Sequence, residues 1–360
     1  MPKITIRQWP LALESDRRTI LEAALAAGVP YPHGCRTGEC GSCKSTLVSG
    51  LVDMGPYDPA VLCDDERAAG LVLACAARPK GDVHVAWLGE EAAVNLPVQR
   101  LRGQVTNIER VTPHITRIYV WPEYRLKFAA GQFAKLRFGD LPARCYSMAN
   151  RPDEEALEFH IRLLPGGKVS EHVRTELKVG DTIRIEGPFG RAYLLPQQTE
   201  PIVALAGGSG LAPVKSIVRT ALHARMDCDI HLFFGVRDEE NIYCEAELAG
   251  LAAQHPNLHL HILVSNTEPG SLRRRGNLPD VLHTDIPAGS NVRLYVAGPP
   301  GMVDSVVAAA HECGFTPDRI HADPFHHSGE SSPPPRLGAR QLFHGLKSMF
   351  GGAFLARGAK

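Results

Sequence analysis

Apolar and polar residues alternate over residues 4–8, and this two-residue period predicts a strand. Over residues 19–27 the period lengthens. Ile20, Leu21, Ala24 and Leu25 share one helical face, and Gly28 and Pro30 stop the helix. Alternation returns at 83–87 as a closing strand, and 89–97 reads as a linker, so a first unit spans 1–92. Short alternating runs at 104–108, 115–120, 132–138, 157–163 and 182–185, punctuated by Gly and Pro, predict a small antiparallel barrel over 98–196. After residue 200 the texture changes to buried apolar runs at 202–206, 230–234, 258–264 and 292–297. Helical stretches separate them, the pattern of a parallel α/β sheet over 200–325. Residues 326–360 contain Ser331-Ser332-Pro333-Pro334-Pro335 and cannot extend that sheet; they form a linker and tail.

The length of 360 residues fits this modular division, because single cores rarely serve so long a chain. With 44% hydrophobic and 22% charged residues there is enough apolar material for globular cores. Lys plus Arg balances Asp plus Glu at 39 each, so no overall field draws the chain to nucleic acid or to an anionic membrane. No apolar run reaches the roughly 18 residues of a spanning helix, so membrane insertion is not expected. The N-terminal residues lack the apolar stretch and cleavage site of a signal peptide, which points to the cytoplasm. In that reducing compartment nine cysteines read as metal ligands plus spare thiols rather than disulfides.

Four of them cluster. Cys35, Cys40 and Cys43 form C-x4-C-x2-C, and Cys75 follows 32 positions later, the plant-type 2Fe-2S spacing. Four thiolates supply the negative charge that two ferric ions and two sulfides require. Gly38 and Gly41 allow a tight loop whose N–H groups face sulfur. A zinc ribbon needs a second C-x2-C, and a Rieske centre needs histidines in the loop; both are missing. Cys63 competes for the fourth place, but Asp64, Asp65 and Glu66 beside it would repel an anionic cluster. Cys145, Cys228, Cys244 and Cys313 are dispersed and receive no function.

Four further motifs point to nucleotide chemistry. In Arg144-Cys145-Tyr146-Ser147, following a strand, the guanidinium suits a phosphate, the phenol ring offers a face, and the hydroxyl can bond a flavin edge nitrogen. Gly166-Gly167-Lys168-Val169-Ser170 lies where a strand gives way to a helix, an anion site for a pyrophosphate, with a plain hairpin turn as the alternative. Gly207-Gly208-Ser209-Gly210 links a strand to a helix and lets backbone approach a dinucleotide. It is not G-x-G-x-x-G, and no Walker lysine accompanies it. Arg237 could neutralise a 2′-phosphate, but Asp238, Glu239 and Glu240 oppose one, which favours NADH over the alternative NADPH. Gly298-Pro299-Pro300-Gly301-Met302 repeats the strand-to-helix logic and could face the nicotinamide, or be a tight turn only.

Taken in order, these motifs resemble the three-domain oxygenase reductases of the ferredoxin-NADP reductase superfamily. The similarity is greatest to reductase components of naphthalene-type ring-hydroxylating dioxygenases and covers about residues 1–325. The resemblance implies a multidomain α+β and α/β chain. Its parts would be an N-terminal β-grasp ferredoxin, an antiparallel β-barrel flavin domain and a C-terminal parallel-sheet nucleotide-binding domain. It implies FAD, with Arg144 at the flavin phosphates, Tyr146 and Ser147 at the isoalloxazine, and Gly167 to Ser170 at the pyrophosphate. His160, Arg162 and Gly166 join the expected cofactor contacts, as do Pro299 and Met302 on the nicotinamide side. Phe325 matches the family's terminal aromatic, expected to gate the flavin, and with Tyr146 and Ser147 makes the expected catalytic set. The implied acceptor is a Rieske-type ferredoxin or the terminal oxygenase. Alternatives are a reductase serving a diiron monooxygenase or a deoxysugar dehydratase, or a redox sensor without turnover. Ala297 stands where many relatives have Cys, Ser209 replaces a usual Thr, and the chain runs on past the aromatic. Within that extension Leu342, Phe343, Leu346 and Phe350 interleave with Arg340 and Lys347, a docking helix or a disordered extension.

Overall fold

The computed structural model describes residues 1–34, 36–38, 41–59, 61–62, 64–68, 70–87, 96–196, 198–267, 270–287 and 289–325. Cys35, Cys40, Cys63, most of the expected linker and the whole tail lie outside these residues.

The first unit runs β1 (Lys3–Ile6), β2 (Leu13–Glu14), α1 (Ile20–Ala26), β3 (Lys44–Ser49), β4 (Val52–Met54), α2 (Asp64–Ala68), β5 (Leu71–Leu73), β6 (Ala77–Pro79) and β7 (Val83–Trp87). Five strands form a sheet in the order β2-β1-β7-β3-β5, with β1 parallel to β7, while β4 and β6 pair separately. α1 begins where Thr19 and Glu22 make a reciprocal capping box, each side chain accepting the other's N–H. It buries Ile20, Leu21, Ala23 and Ala24 against Ile4, Ile6, Leu73 and Val85. A helix held in the curve of a mixed sheet is the β-grasp arrangement.

The second unit contains β8 (Gln99–Thr112), β9 (Ile115–Pro122), β10 (Phe133–Phe138), β11 (Arg144–Ser147), β12 (Leu157–Arg162), α3 (Lys168–Thr175) and β13 (Thr182–Phe189). Its sheet order is β11-β10-β13-β8-β9-β12, antiparallel throughout, and a Met148–Phe159 bridge joins the two ends into a barrel. Val105, Ile118, Val120, Leu136, Phe138, Phe159 and Ile161 fill the interior. β8 is far longer than the expected 104–108, because its outer residues are charged and blur the period; Arg100, for example, pairs with Glu186 at 2.9 Å. Arg144 to Ser147 do not merely follow a strand but constitute one.

The third unit continues with β14 (Ile202–Gly207), α4 (Leu211–His223), β15 (Ile230–Val236), α5 (Glu245–Gln254), β16 (Leu258–Val264), β17 (Arg274–Arg275), α6 (Leu278–Thr284), β18 (Arg293–Gly298), α7 (Pro300–Glu312) and β19 (Ile320–Pro324). All six strands are parallel, in the order β17-β16-β15-β14-β18-β19. β14 is buried along its whole length, and apolar clusters cover both faces of the sheet. The chain walks outward from β14 to β17, then returns to place β18 on β14's other side. Between β14 and β18 the strand order reverses, and such a switch point opens a crevice at the strands' carboxyl ends. Among the described residues no helix is long and apolar enough to cross a membrane.

Candidate functional site

Cys43 directly precedes β3 and Cys75 follows β5 by two residues. Because Lys44 pairs with Leu73, the antiparallel ladder carries the two sulfurs to one place. The Cys75 N–H donates to Cys43 Sγ at 3.4 Å, and the Ala74 N–H to the Cys43 carbonyl at 3.1 Å. Arg36, Gly38 and Gly41 have φ of 62°, 80° and 68°, so the loop turns repeatedly through the left-handed region. At Gly38 a Cβ would meet Tyr57 Cβ at 2.6 Å, which seats the loop on its neighbour with no room for a side chain. Two adjacent thiols, an amide aimed at sulfur and a loop of this curvature fit an iron-sulfur cluster.

On the barrel, β11 pairs with β10; Ser147 faces the third unit, while Tyr146, its neighbour on the strand, packs against the barrel's apolar cluster. The Arg144 guanidinium bonds its neighbour's carbonyl, Ala143, at 3.2 Å and pairs with no carboxylate among the described residues. It is a cation left for an anion. Burial raises the Tyr146 phenol, which stays neutral, and the residue is half-buried. Gly166 has φ of 71° with open space beside it, and Gly167 caps α3. The first amides of α3, at Lys168, Val169 and Ser170, have no intrahelical acceptor. Ser170 Oγ accepts the Leu164 N–H at 2.9 Å and pins this turn to the end of β12.

At the switch point the two glycine turns interlock. A Cβ on Gly207 would strike Met302 Cε at 2.5 Å, one on Gly210 the Ala297 carbonyl at 2.0 Å, and one on Gly298 the Gly207 carbonyl at 2.7 Å. Pro299 Cδ lies 3.2 Å from the Gly207 position. Gly208, with φ of 54°, instead borders open space, and Ser209 is buried behind it. The Phe325 N–H donates to the Gly298 carbonyl at 2.9 Å, so the aromatic stands beside this crevice. Two residues earlier, Asp323 reaches across to the barrel, with Ser147 Oγ 3.5 Å from its Oδ2. Burial in this cleft pushes the Asp323 carboxyl up to about 7.

Family models for a 2Fe-2S iron-sulfur cluster binding domain, an oxidoreductase FAD-binding domain and an oxidoreductase NAD-binding domain match residues 7–80, 104–193 and 204–308. The chain is 38% identical to the ferredoxin–NAD(P)(+) reductase component of the naphthalene 1,2-dioxygenase/salicylate 5-hydroxylase systems of a Ralstonia species, over 86% of this chain and 94% of that one. Identity to the corresponding component of the Pseudomonas putida naphthalene 1,2-dioxygenase system is 35% at the same coverage. The chain belongs to the ferredoxin–NAD(P)(+) reductases of oxygenase systems. An Amycolatopsis cytochrome P450 reductase shares its structure with a TM-score of 0.72 and 32% identity, over 90% of this chain and 99% of that one. The ferredoxin reductase of a carbazole 1,9a-dioxygenase follows with 0.65 and 26%, over 90% and 98%.

This reductase is an oxidoreductase that carries electrons from NAD(P)H through FAD and a 2Fe-2S cluster to its oxygenase system. One expected contact needs correction. His160 is buried with Nε2 on Glu158 at 2.9 Å and Nδ1 on the Tyr243 hydroxyl at 2.8 Å, so neither ring nitrogen is left for a cofactor. Arg162 shares its strand face but is exposed, close to the Gly166 turn. Arg237 is exposed just beyond β15. Asp323 was missed: its only sequence signal is an acid two positions before the terminal aromatic, and its environment comes from a barrel residue 176 positions away.

Proposed function

We propose that this reductase accepts NADH rather than NADPH and passes single electrons from its Cys35, Cys40, Cys43 and Cys75 cluster to a Rieske-type ferredoxin or directly to a ring-hydroxylating oxygenase. The convergence of Ser147, Asp323, Phe325 and the two glycine turns at one cleft carries this reading. FAD, when bound, takes up two electrons with a hydride and gives them up singly, as a 2Fe-2S cluster requires. Arg144 and the α3 amides hold its phosphates, and Tyr146 and Ser147 border its ring. The Gly207 to Gly210 turn receives the coenzyme pyrophosphate, and Gly298, Pro299 and Met302 shape the wall toward the nicotinamide. Phe325 covers the position the nicotinamide must take. Asp323, protonated below about pH 7, accepts a long contact from the Ser147 hydroxyl and holds its own proton in the cleft.

The NADH preference rests on charge. Arg237 is followed by Asp238, which accepts from Asn266 at 3.1 Å, and by Glu239, which accepts from Ser271 and has Arg273 3.8 Å away; the run of carboxylates after Arg237 would oppose a 2′-phosphate. Cysteines that are to receive a cluster must not first oxidise to disulfides, which a reducing compartment ensures; this supports a cytoplasmic location. The experiment is anaerobic NADH titration of the purified protein, following flavin and cluster absorbance, beside a Cys75→Ser variant assayed with ferricyanide and cytochrome c. The expected variant keeps ferricyanide reduction and loses cytochrome c reduction. Absence of flavin, or failure of NADH to bleach either centre, overturns the reading in favour of a redox sensor.

A further inference from the structure

The third unit meets the barrel wall through buried charge. Lys215, in α4, is 1% exposed, and its ammonium contacts both oxygens of Glu158 on β12 at 2.9 and 3.0 Å and Glu247 on α5 at 2.7 Å. Arg117 on β9 adds contacts to Glu158 at 2.7 Å and to Glu247 at 3.3 Å. His160 lies two residues beyond Glu158 and on the same strand face. Its ring joins Glu158 to the Tyr243 hydroxyl, and that hydroxyl lies 3.4 Å from the Gly208 carbonyl. An unbroken path of polar contacts therefore leads from the barrel strand to the nucleotide turn.

The protonation pattern is consistent along this path. Burial would raise the Glu158 carboxyl, but the His160 hydrogen bond and the charges of Lys215 and Arg117 outweigh it and hold it well below the carboxylate range. Burial pushes the His160 imidazole down against the pull of Glu158, so the ring is neutral with one N–H to give. Given to Glu158, it leaves Nδ1 to accept from Tyr243, whose single proton is shared with the longer Gly208 contact.

The connected elements are those that must stay in register. Gly208 opens the turn that becomes α4, and Lys215 lies within α4, so one loop-and-helix unit is tied to β12 at two points. β12 runs on through Leu164 to the Gly166–Ser170 anion turn, and its Phe159 bridges Met148 beside Ser147.

We propose that Tyr243, His160, Glu158 and Lys215 form a buried relay that fixes the Gly207–Gly210 turn in register with the flavin barrel, making Tyr243 and Lys215 positioning residues for hydride transfer. This rests on the reading that the turn binds the nicotinamide coenzyme. The amides that would hold the pyrophosphate belong to the third unit alone, so loss of the relay impairs alignment rather than affinity.

The test compares full-chain, flavin-loaded wild type with Tyr243→Phe, which keeps the ring contact to Phe234 at 5.5 Å, and with the near-isosteric Glu158→Gln. Hydrogen–deuterium exchange over residues 205–211 is measured without coenzyme, and flavin reduction is followed by stopped flow across NADH concentrations. The expected variants exchange about tenfold faster in the turn with protection retained elsewhere, reduce flavin about tenfold more slowly at saturation, and keep the NADH dissociation constant within about threefold. Unchanged exchange with unchanged limiting rate overturns the proposal. So does a loss confined to NADH affinity, or protection lost evenly across the third unit, which marks a packing role. If wild-type flavin is not reduced by NADH, the functional reading fails, while the exchange result still decides whether the relay holds the turn.

Discussion

Gly210→Ala tests whether the interlocked glycine turns set the hydride-transfer geometry. Gly210 has φ of −59°, which alanine adopts without strain, so the perturbation is purely steric. The added methyl would lie 2.0 Å from the Ala297 carbonyl oxygen and 2.8 Å from the Gly298 nitrogen. Both are backbone atoms of β18, with no rotamer to move aside. Ordinary contact begins at 3.4 Å, so the turn and β18 must part by about 1.4 Å. Overpacking of this kind costs about 1–3 kcal/mol of stability. A displacement of about 1 Å between reacting groups costs about 10²-fold in rate. Gly208→Ala is the matched contrast. It meets no atom within 4 Å, and only its φ of 54° is unfavourable, at about 1–2 kcal/mol. Its methyl points into the space the coenzyme needs, so NADH affinity falls while packing survives. Stopped-flow flavin reduction and calorimetric unfolding separate the two: Gly210→Ala loses limiting rate and stability, Gly208→Ala mainly affinity. Wild-type rate and melting temperature for Gly210→Ala would refute the account of the cleft.

Two further outcomes are expected. The Asp323 carboxyl is raised from 3.8 to about 7, so between these values the folded chain holds a proton the unfolded chain has lost, and stability falls as pH rises through that window. Asp323→Asn removes this slope and gains on wild type as pH rises from 3.8 to about 7, with no further gain above; a pH-independent difference in melting temperature would contradict it. Arg219 on α4 holds Glu154 of the barrel with two contacts, 2.6 and 3.1 Å, in a half-buried setting. A double-mutant cycle to alanine should give a coupling of about 1 kcal/mol, and zero coupling would remove this pair from the interdomain contact.

What the sequence made legible is what local physics determines. α1 was readable because its apolar face repeats at helical spacing and Gly28 with Pro30 stops it; the Thr19–Glu22 capping box came only with the structure. β14 and β18 were readable as buried apolar runs, and β15 and β16 as apolar runs that His231, His259 and His261 interrupt. β17 was not, since two exposed arginines carry no period, and β19 was missed because Ile320 to Pro324 alternates neither cleanly nor for long. At the site, glycine turns and the cysteine spacing announced themselves because backbone geometry demands those residues. Asp323, Tyr243 and Lys215 did not. Lys215 reads as a solvent lysine on an amphipathic helix, and it is Glu158, 57 positions earlier, together with Glu247 on α5, that makes its burial tolerable.

That last case explains why the interface is charged. A smooth apolar face between barrel and nucleotide unit would bury area at lower desolvation cost, since removing ions from water is expensive even when they pair well. Its neighbouring registers, however, would differ little in energy, because apolar attraction is non-directional. Lys215 between Glu158 and Glu247, Arg117 on the same two carboxylates, and His160 between Glu158 and Tyr243 are satisfied together in one alignment only. Sliding by one residue would leave at least one buried charge without its partner, a penalty of about 3–5 kcal/mol for a broken buried pair. Two electrons must pass as a hydride between ligands held on different units, which requires angular tolerance tighter than apolar packing enforces. Buried charge supplies that register at the expense of stability, while Ser147 and Asp323, the contact it keeps aligned, can remain a long 3.5 Å apart.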